Sequence, residues 1–178
     1  MRKLRNAVMC MLVLMMTACI QTTNTTDDQI TQYENYYNLV LNNTAYISAS
    51  KYYDLSVEMA DIGGGAFRYY VFVDNPRIAM MKCKVMVVEN DLPVSDDKVM
   101  PSVGITETPY ALIPNQVNNE GGYAKGLIAS GETDSDTVNL KILVEWTSRS
   151  TGSVYREYFS CTATTETTEF YSGSSQEQ

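Results

Sequence analysis

Histidine is absent from this chain of 178 residues. Its absence removes Ser-His and Cys-His nucleophile pairs, the commonest general base and the histidine-containing zinc sites. Basic residues are outnumbered thirteen to twenty-one by acidic ones and, beyond the first five positions, form no cluster, which argues against nucleic acid and anionic headgroups as partners. Glycine is present, but Gly63-Gly64-Gly65 joins two strand-like runs instead of opening a helix, so no phosphate-cradling loop is formed. Of the four cysteines Cys10 and Cys19 lie in the N-terminal signal-like stretch, so Cys83 and Cys161 alone are left to the domain, too few for a metal cluster, and no cofactor is implied. No apolar run reaches the ~20 residues that a membrane-spanning helix needs.

What is present begins at the N-terminus. Arg2, Lys3 and Arg5 precede an apolar run from Ala7 to Met16, followed by Met16-Thr17-Ala18-Cys19 and then polar Gln21-Thr22-Thr23-Asn24. This plan is that of a cleaved export signal. The stretch Met16-Thr17-Ala18-Cys19 resembles the lipobox of bacterial lipoproteins, with Met16 where that family usually has Leu. The resemblance implies cleavage after Ala18, diacylglycerol on Cys19 and a lipid-anchored mature chain on the extracytoplasmic face of the cell membrane. Ile20 in place of Asp is compatible with the outer membrane if the cell is Gram-negative. An ordinary secretory signal cut near Ala18 is the alternative. Each buried methylene of an acyl anchor contributes ~0.8 kcal/mol, so several chains give a stable hold.

Removing residues 1–18 leaves ten basic against twenty-one acidic residues, a net charge of −11. It also leaves Cys83 and Cys161 as the one pair available to the domain. An even pair in an exported protein is a disulfide candidate. Such a bridge would add about 4 to 5 kcal/mol on the chain-entropy model. Two buried free thiols are the other reading.

Residues 19–28 have the Thr/Asn/Asp composition of a polar tether. A helix is expected from about Asp28 to Asn42, with Ile30, Tyr33, Tyr37 and Leu41 on one face packed on its own domain. The period then changes from helical to alternating. Leu55, Val57 and Met59 alternate with polar residues, as do Phe67, Tyr69, Val71 and Val73 beyond the three glycines. A three-residue loop pairs Ile62 with Ala66, Met59 with Tyr69, Val57 with Val71 and Leu55 with Val73, so both apolar faces coincide. A strand from Ala79 to Val88 places Met81, Cys83, Val85 and Val87 inward and Lys82 and Lys84 outward.

Four of the five prolines, Pro93, Pro101, Pro109 and Pro114, fall between 90 and 117, which restricts that segment to short edge strands near 99–105 and 110–113. Strands over 123–130, Val138 to Trp146 and Val154 to Ala163 follow, with Cys161 opposite Leu140 and Phe159 opposite Ile142. Residues 164–178 read as a disordered polar tail.

Seven or eight short strands after one helix predict an all-β antiparallel sandwich over residues 29–163. The patterning is similar to immunoglobulin and fibronectin type III domains. The layout as a whole resembles uncharacterised Gram-positive surface lipoproteins, a likeness that carries no site with it.

Functional signals are sparse. Ser48-Ala49-Ser50-Lys51 matches the S-x-x-K of penicillin-binding proteins and β-lactamases, but the S-D-N and K-T-G elements that accompany it are missing. Asn90, Asp91, Asp96 and Asp97 in one turn, and Glu132, Asp134 and Asp136 in another, are oxygen ligands of the kind calcium takes. Asp and Asn also dominate turns for backbone reasons, and no metal is assigned. The expected function is non-enzymatic: a lipid-anchored domain that binds or scaffolds an envelope protein or other component through the 90–117 segment. The alternative is a glycan-binding module using Tyr70, Phe72, Tyr110 or Tyr155.

Overall fold

The computed structural model describes residues 21–95 and 97–174. The signal-like stretch, including the expected lipid site Cys19, lies outside the described residues. Among those described, one α-helix and ten of twelve strands form three layers, helix α1 (Gln21–Leu41), a large seven-stranded sheet and a three-stranded sheet, and the other two strands pair in a small sheet of their own. The all-β sandwich with one N-terminal helix is therefore the observed fold.

The three-stranded sheet, called the small sheet below, has the order β2 (Asp54–Gly63), β3 (Ala66–Asp74), β8 (Leu127–Thr133). At the centre of the large one, β9 (Thr137–Ser148) runs between β4 (Met80–Glu89) and β10 (Val154–Thr164). The opposite edge of β4 is shared by two short strands, β5 (Ser102–Val103) and β6 (Tyr110–Leu112). β6 in turn pairs in parallel with β7 (Tyr123–Ala124). Taken as A, B and E facing C, F and G, these strands follow the immunoglobulin plan without its D strand, and β6 stands in the C′ position.

The β2–β3 hairpin has the expected register through its body: Leu55 pairs with Val73, Val57 with Val71 and Met59 with Tyr69. At its tip the pairing shifts. Gly63, not Ile62, pairs with Ala66, leaving a two-residue turn of Gly64 and Gly65 at φ of 69° and 81°. Positive φ at both positions matches the twist of the flanking strands, and a bulge at Ile62 absorbs the extra residue. The β9–β10 register also follows the expectation, with Cys161 opposite Leu140 and Phe159 opposite Ile142.

Four expectations are corrected. Met80, not Met81, enters the inter-sheet core, because a register shift between Met81 and Lys84, with Lys82 at φ 52°, interrupts the alternation. The 19–28 tether is helical from Gln21 onward. No Gly or Pro interrupts that stretch, so a helix nucleated on its packed half extends through it. The buried stripe of α1 is Tyr36, Tyr37 and Val40, with Tyr33, Leu39 and Leu41 partly buried, while Ile30 is 52% exposed. The 164–178 tail is not disordered where it is described. It forms β11 (Thr168–Tyr171) on the edge of β10, then β12 (Gly173–Ser174) against β1 (Ala45–Tyr46). Thr168 Oγ1 donates to the Val57 carbonyl at 2.9 Å, tying this strap to the small sheet.

The disulfide is excluded by position. Cys83 and Cys161 are free and buried, on strands that flank β9 from opposite sides. Cys161 sits at the level of Leu140, and Cys83 lies within the register shift opposite the other end of β9. Six residues of strand and two strand spacings put them roughly 20 Å apart, far beyond the ~7 Å Cα limit of a bridge.

Candidate functional site

The densest polar cluster lies between α1 and the large sheet. Glu145, on the helix-facing side of β9, is 5% exposed. Tyr36 Oη donates to Glu145 Oε1 at 2.6 Å, Lys84 Nζ to the same oxygen at 3.2 Å, and Arg156 Nε to Oε2 at 2.7 Å. Lys84 also donates to Tyr36 Oη and stands 4.7 Å from its ring centre. Burial pushes the Glu145 carboxyl up, but the hydrogen bonds from Tyr36, Arg156 and Lys84 outweigh it and hold the group below its ordinary range. Burial raises the Tyr36 hydroxyl, and the Glu145 hydrogen bond adds to that. An ionised carboxylate and a weakened phenol, each already bonded, act as a lock between helix and sheet. Burial likewise pushes both thiols, Cys83 and Cys161, to about 12, so neither is a ready nucleophile.

The proline-bearing 90–117 segment is a belt, not a free loop. Tyr37 Oη donates to the Leu92 carbonyl at 2.8 Å, and Tyr33 Oη accepts from the Met100 amide at 2.8 Å. Lys98 donates to Glu89 Oε1 and, at 3.0 Å, to the Glu132 carbonyl. Met100 and Ile105 are buried in the helix-facing core. Gly104, at φ 71°, admits the Cys83 carbonyl where a Cβ would stand 2.4 Å from it. Against the front half of α1 the belt leaves an open groove of about 390 Å³, with Ile30, Tyr33, Val94 and Val99 among its lining. Val99 is 75% exposed and Val94 38%.

A second groove, of about 520 Å³, opens on the outer face of β9 and β10. Tyr171 of the strap is its exposed aromatic wall and buried Tyr46 of β1 closes its inner edge, with Asn139, Lys141, Ser160, Asn90 and Asp91 also lining it. Lys141 is paired with Asp91. This groove did not emerge from the sequence, because the strap was read as tail. The available signal was Phe170-Tyr171, an apolar pair within otherwise polar residues.

The four tyrosine-type candidates do not converge. Tyr70 and Phe72 stack at 6.2 Å on the outer face of the small sheet. Tyr110 sits on β6, opposite Cys83. Tyr155 stacks on buried Trp146 at 5.5 Å, at the end of the sandwich. The acidic turns do not gather either: Asp91 is taken by Lys141 and Glu132 by Arg68, and Asp96 lies outside the described residues. Among the described residues no three His, Cys, Asp or Glu side chains converge as metal ligands. Ser48 and Lys51 lie in a loop, with Lys51 Nζ 4.9 Å from the Tyr52 ring centre.

No family model matches this chain, and no curated protein matches it.

Proposed function

We propose that this chain is a lipid-anchored, extracytoplasmic, non-enzymatic domain that binds or scaffolds another envelope component through the groove between α1 and the 92–106 belt. The observation that carries the reading is the exposed apolar lining at Ile30, Val94 and Val99. Solvent-facing apolar residues gathered around one groove are costly in a free protein and mark interaction surfaces. The belt supports it as well, since its tyrosine and lysine ties hold the groove open in the unbound state, which lowers the ordering cost of binding. Among the described residues no helix is long and apolar enough to cross a membrane; attachment in this reading comes from Cys19.

Two experiments test it. Labelling cells with an alkyne fatty acid should mark the wild type and spare Cys19→Ser; equal labelling of both sinks the anchor. A photo-crosslinking residue at Val99 should capture one defined envelope protein in intact cells, and Ile30→Asp should abolish the adduct while display on the cell is unchanged. Persistence of that adduct in Ile30→Asp sinks the groove as the binding surface.

A second reading, a glycan-binding module using surface tyrosines, is favoured by the groove under the strap, where exposed Tyr171 stands beside amide and hydroxyl groups.

A further inference from the structure

We propose that the groove bounded by β1, the strap and the outer face of β9 and β10 binds an uncharged sugar ring. The proposal rests on the glycan reading and assigns that reading a site and a ligand class.

Charge comes first. Lys141 is the cation lining the groove, and Asp91 neutralises it. An anionic ligand would have to displace Asp91 and enter a chain that carries eight net negative charges. A neutral ligand faces neither obstacle.

Polar groups come second. Thr162 Oγ1 donates to Asn139 Oδ1 at 2.6 Å and accepts from Tyr171 Oη at 3.0 Å. This relay fixes the Asn139 amide so that its Nδ2 faces away from Thr162, and it fixes the Tyr171 ring at the same time. Asn90 Oδ1 accepts from the Asn139 backbone amide at 3.1 Å, which fixes a second amide in the lining. Asn139 Nδ2, Asn90 Nδ2 and the Ser160 hydroxyl have no side-chain partner among the described residues. A wholly apolar ligand would cover such groups without bonding them, which opposes its binding. A ligand rich in hydroxyls, each both donor and acceptor, satisfies them.

Shape comes third. Tyr171 is 48% exposed, whereas Tyr46 is buried at the inner edge of the groove, its hydroxyl on the Asn43 carbonyl and Lys141 Nζ 6.0 Å from its ring centre. The Tyr171 ring takes the apolar C–H face of a sugar while the amides and hydroxyl beside it take the hydroxyl rim. The volume of about 520 Å³ is within the range of pockets that hold one small ligand.

The test is a glycan array probed with the full mature chain, followed by titration of each hit against wild type, Tyr171→Ala and Asn139→Ala. Asn139 is exposed on an outward-facing strand position, so its variant keeps the core even if Tyr171→Ala loosens the strap. The expected result is binding to neutral glycans, weakened about tenfold or more by either substitution, which corresponds to ~1.4 kcal/mol or more. A silent array overturns the proposal and the glycan reading together. Hits weakened by Tyr70→Ala but untouched by Tyr171→Ala and Asn139→Ala keep the glycan reading and overturn this groove. Hits confined to anionic glycans overturn the ligand class.

Discussion

The two faces of the large sheet are covered in different ways. The face turned to the small sheet buries Met80, Val85, Val87, Leu140, Ile142, Val144, Trp146 and Phe159, an almost wholly apolar layer. Its few polar atoms fare less well: the Trp146 indole N–H reaches no hydrogen-bond partner among the described residues, and the Tyr53 and Tyr69 hydroxyls have only loose partners in Glu157 and Glu89. The face turned to α1 buries Met86, Val88 and Leu143 beside Glu145, Lys84 and three tyrosines, and there Tyr33, Tyr36 and Tyr37 are each bonded. Area holds the two sheets together, whereas a small apolar patch with directed hydrogen bonds holds the helix. Hydrophobic contact is non-directional, so the second arrangement fixes the helix in one position as well as attaching it.

Substitutions on the two faces should break this contrast in order of size. Trp146→Ala removes the largest fully buried side chain of the inter-sheet core and should cost about 3 to 5 kcal/mol in urea unfolding. Glu145→Ala should cost about 2 kcal/mol. That is below the ~3 to 5 of a fully buried broken pair, because Lys84 and Arg156 keep 19% and 44% of their side chains exposed and turn to water. Tyr36→Phe removes a well-bonded hydroxyl and should cost about 1 kcal/mol, while Tyr53→Phe removes a loosely partnered one and should cost clearly less. Equal losses from the two tyrosines would erase the contrast.

The same lock has a pH signature. The Glu145 carboxyl is held below its ordinary value in the fold, so its contribution is complete above the unfolded value of about 4.3 and disappears as pH falls through the lower folded value. Wild type and Glu145→Gln should therefore differ in unfolding free energy at pH 7, and the gap should narrow as pH falls below the unfolded value and close below the lower folded one. A gap that stays constant across that window sinks the assignment. The smallest expected effect belongs to the thiols: reductant should leave the melting temperature unchanged, and a thiol reagent should modify Cys83 and Cys161 only on unfolding. A melting point lowered by reductant would contradict the separation of the two strands.

Much of this was legible because strand alternation reports one face at a time. The β2–β3 and β9–β10 registers follow from the apolar spacing of Leu55, Val57 and Met59 and of Leu140, Ile142 and Val144. The second face was written in the same strands as unbroken runs, Val85 to Val88 and Ile142 to Val144, the mark of strands buried on both sides. Those runs locate the docking site of α1, and the alternation alone does not reveal them. The shift at Lys82 was hidden, because a bulge leaves no periodic trace. The strap was hidden for another reason. Thr168 to Tyr171 is too short and too polar to read as a strand, and it is held by the free edge of β10, not by its own composition. Of the two grooves, the first borders a segment whose prolines marked it as irregular, but its ties to α1 were not legible there. The groove under the strap depends on a wall that only the fold supplies.

The central seam of the large sheet carries one further consequence. Val85 pairs with Val144 and Glu89 with Leu140, so this seam joins segments roughly fifty to sixty residues apart, and such long-range pairing slows folding. The β2–β3 hairpin closes locally. Helix α1, synthesised first, needs both Met86 of β4 and Leu143 of β9 before its tyrosines are covered. A chain emerging from its N-terminus therefore keeps this helix unplaced until β9 arrives. Of the three layers, α1 precedes both sheets in the chain and is the last to find its full docking surface.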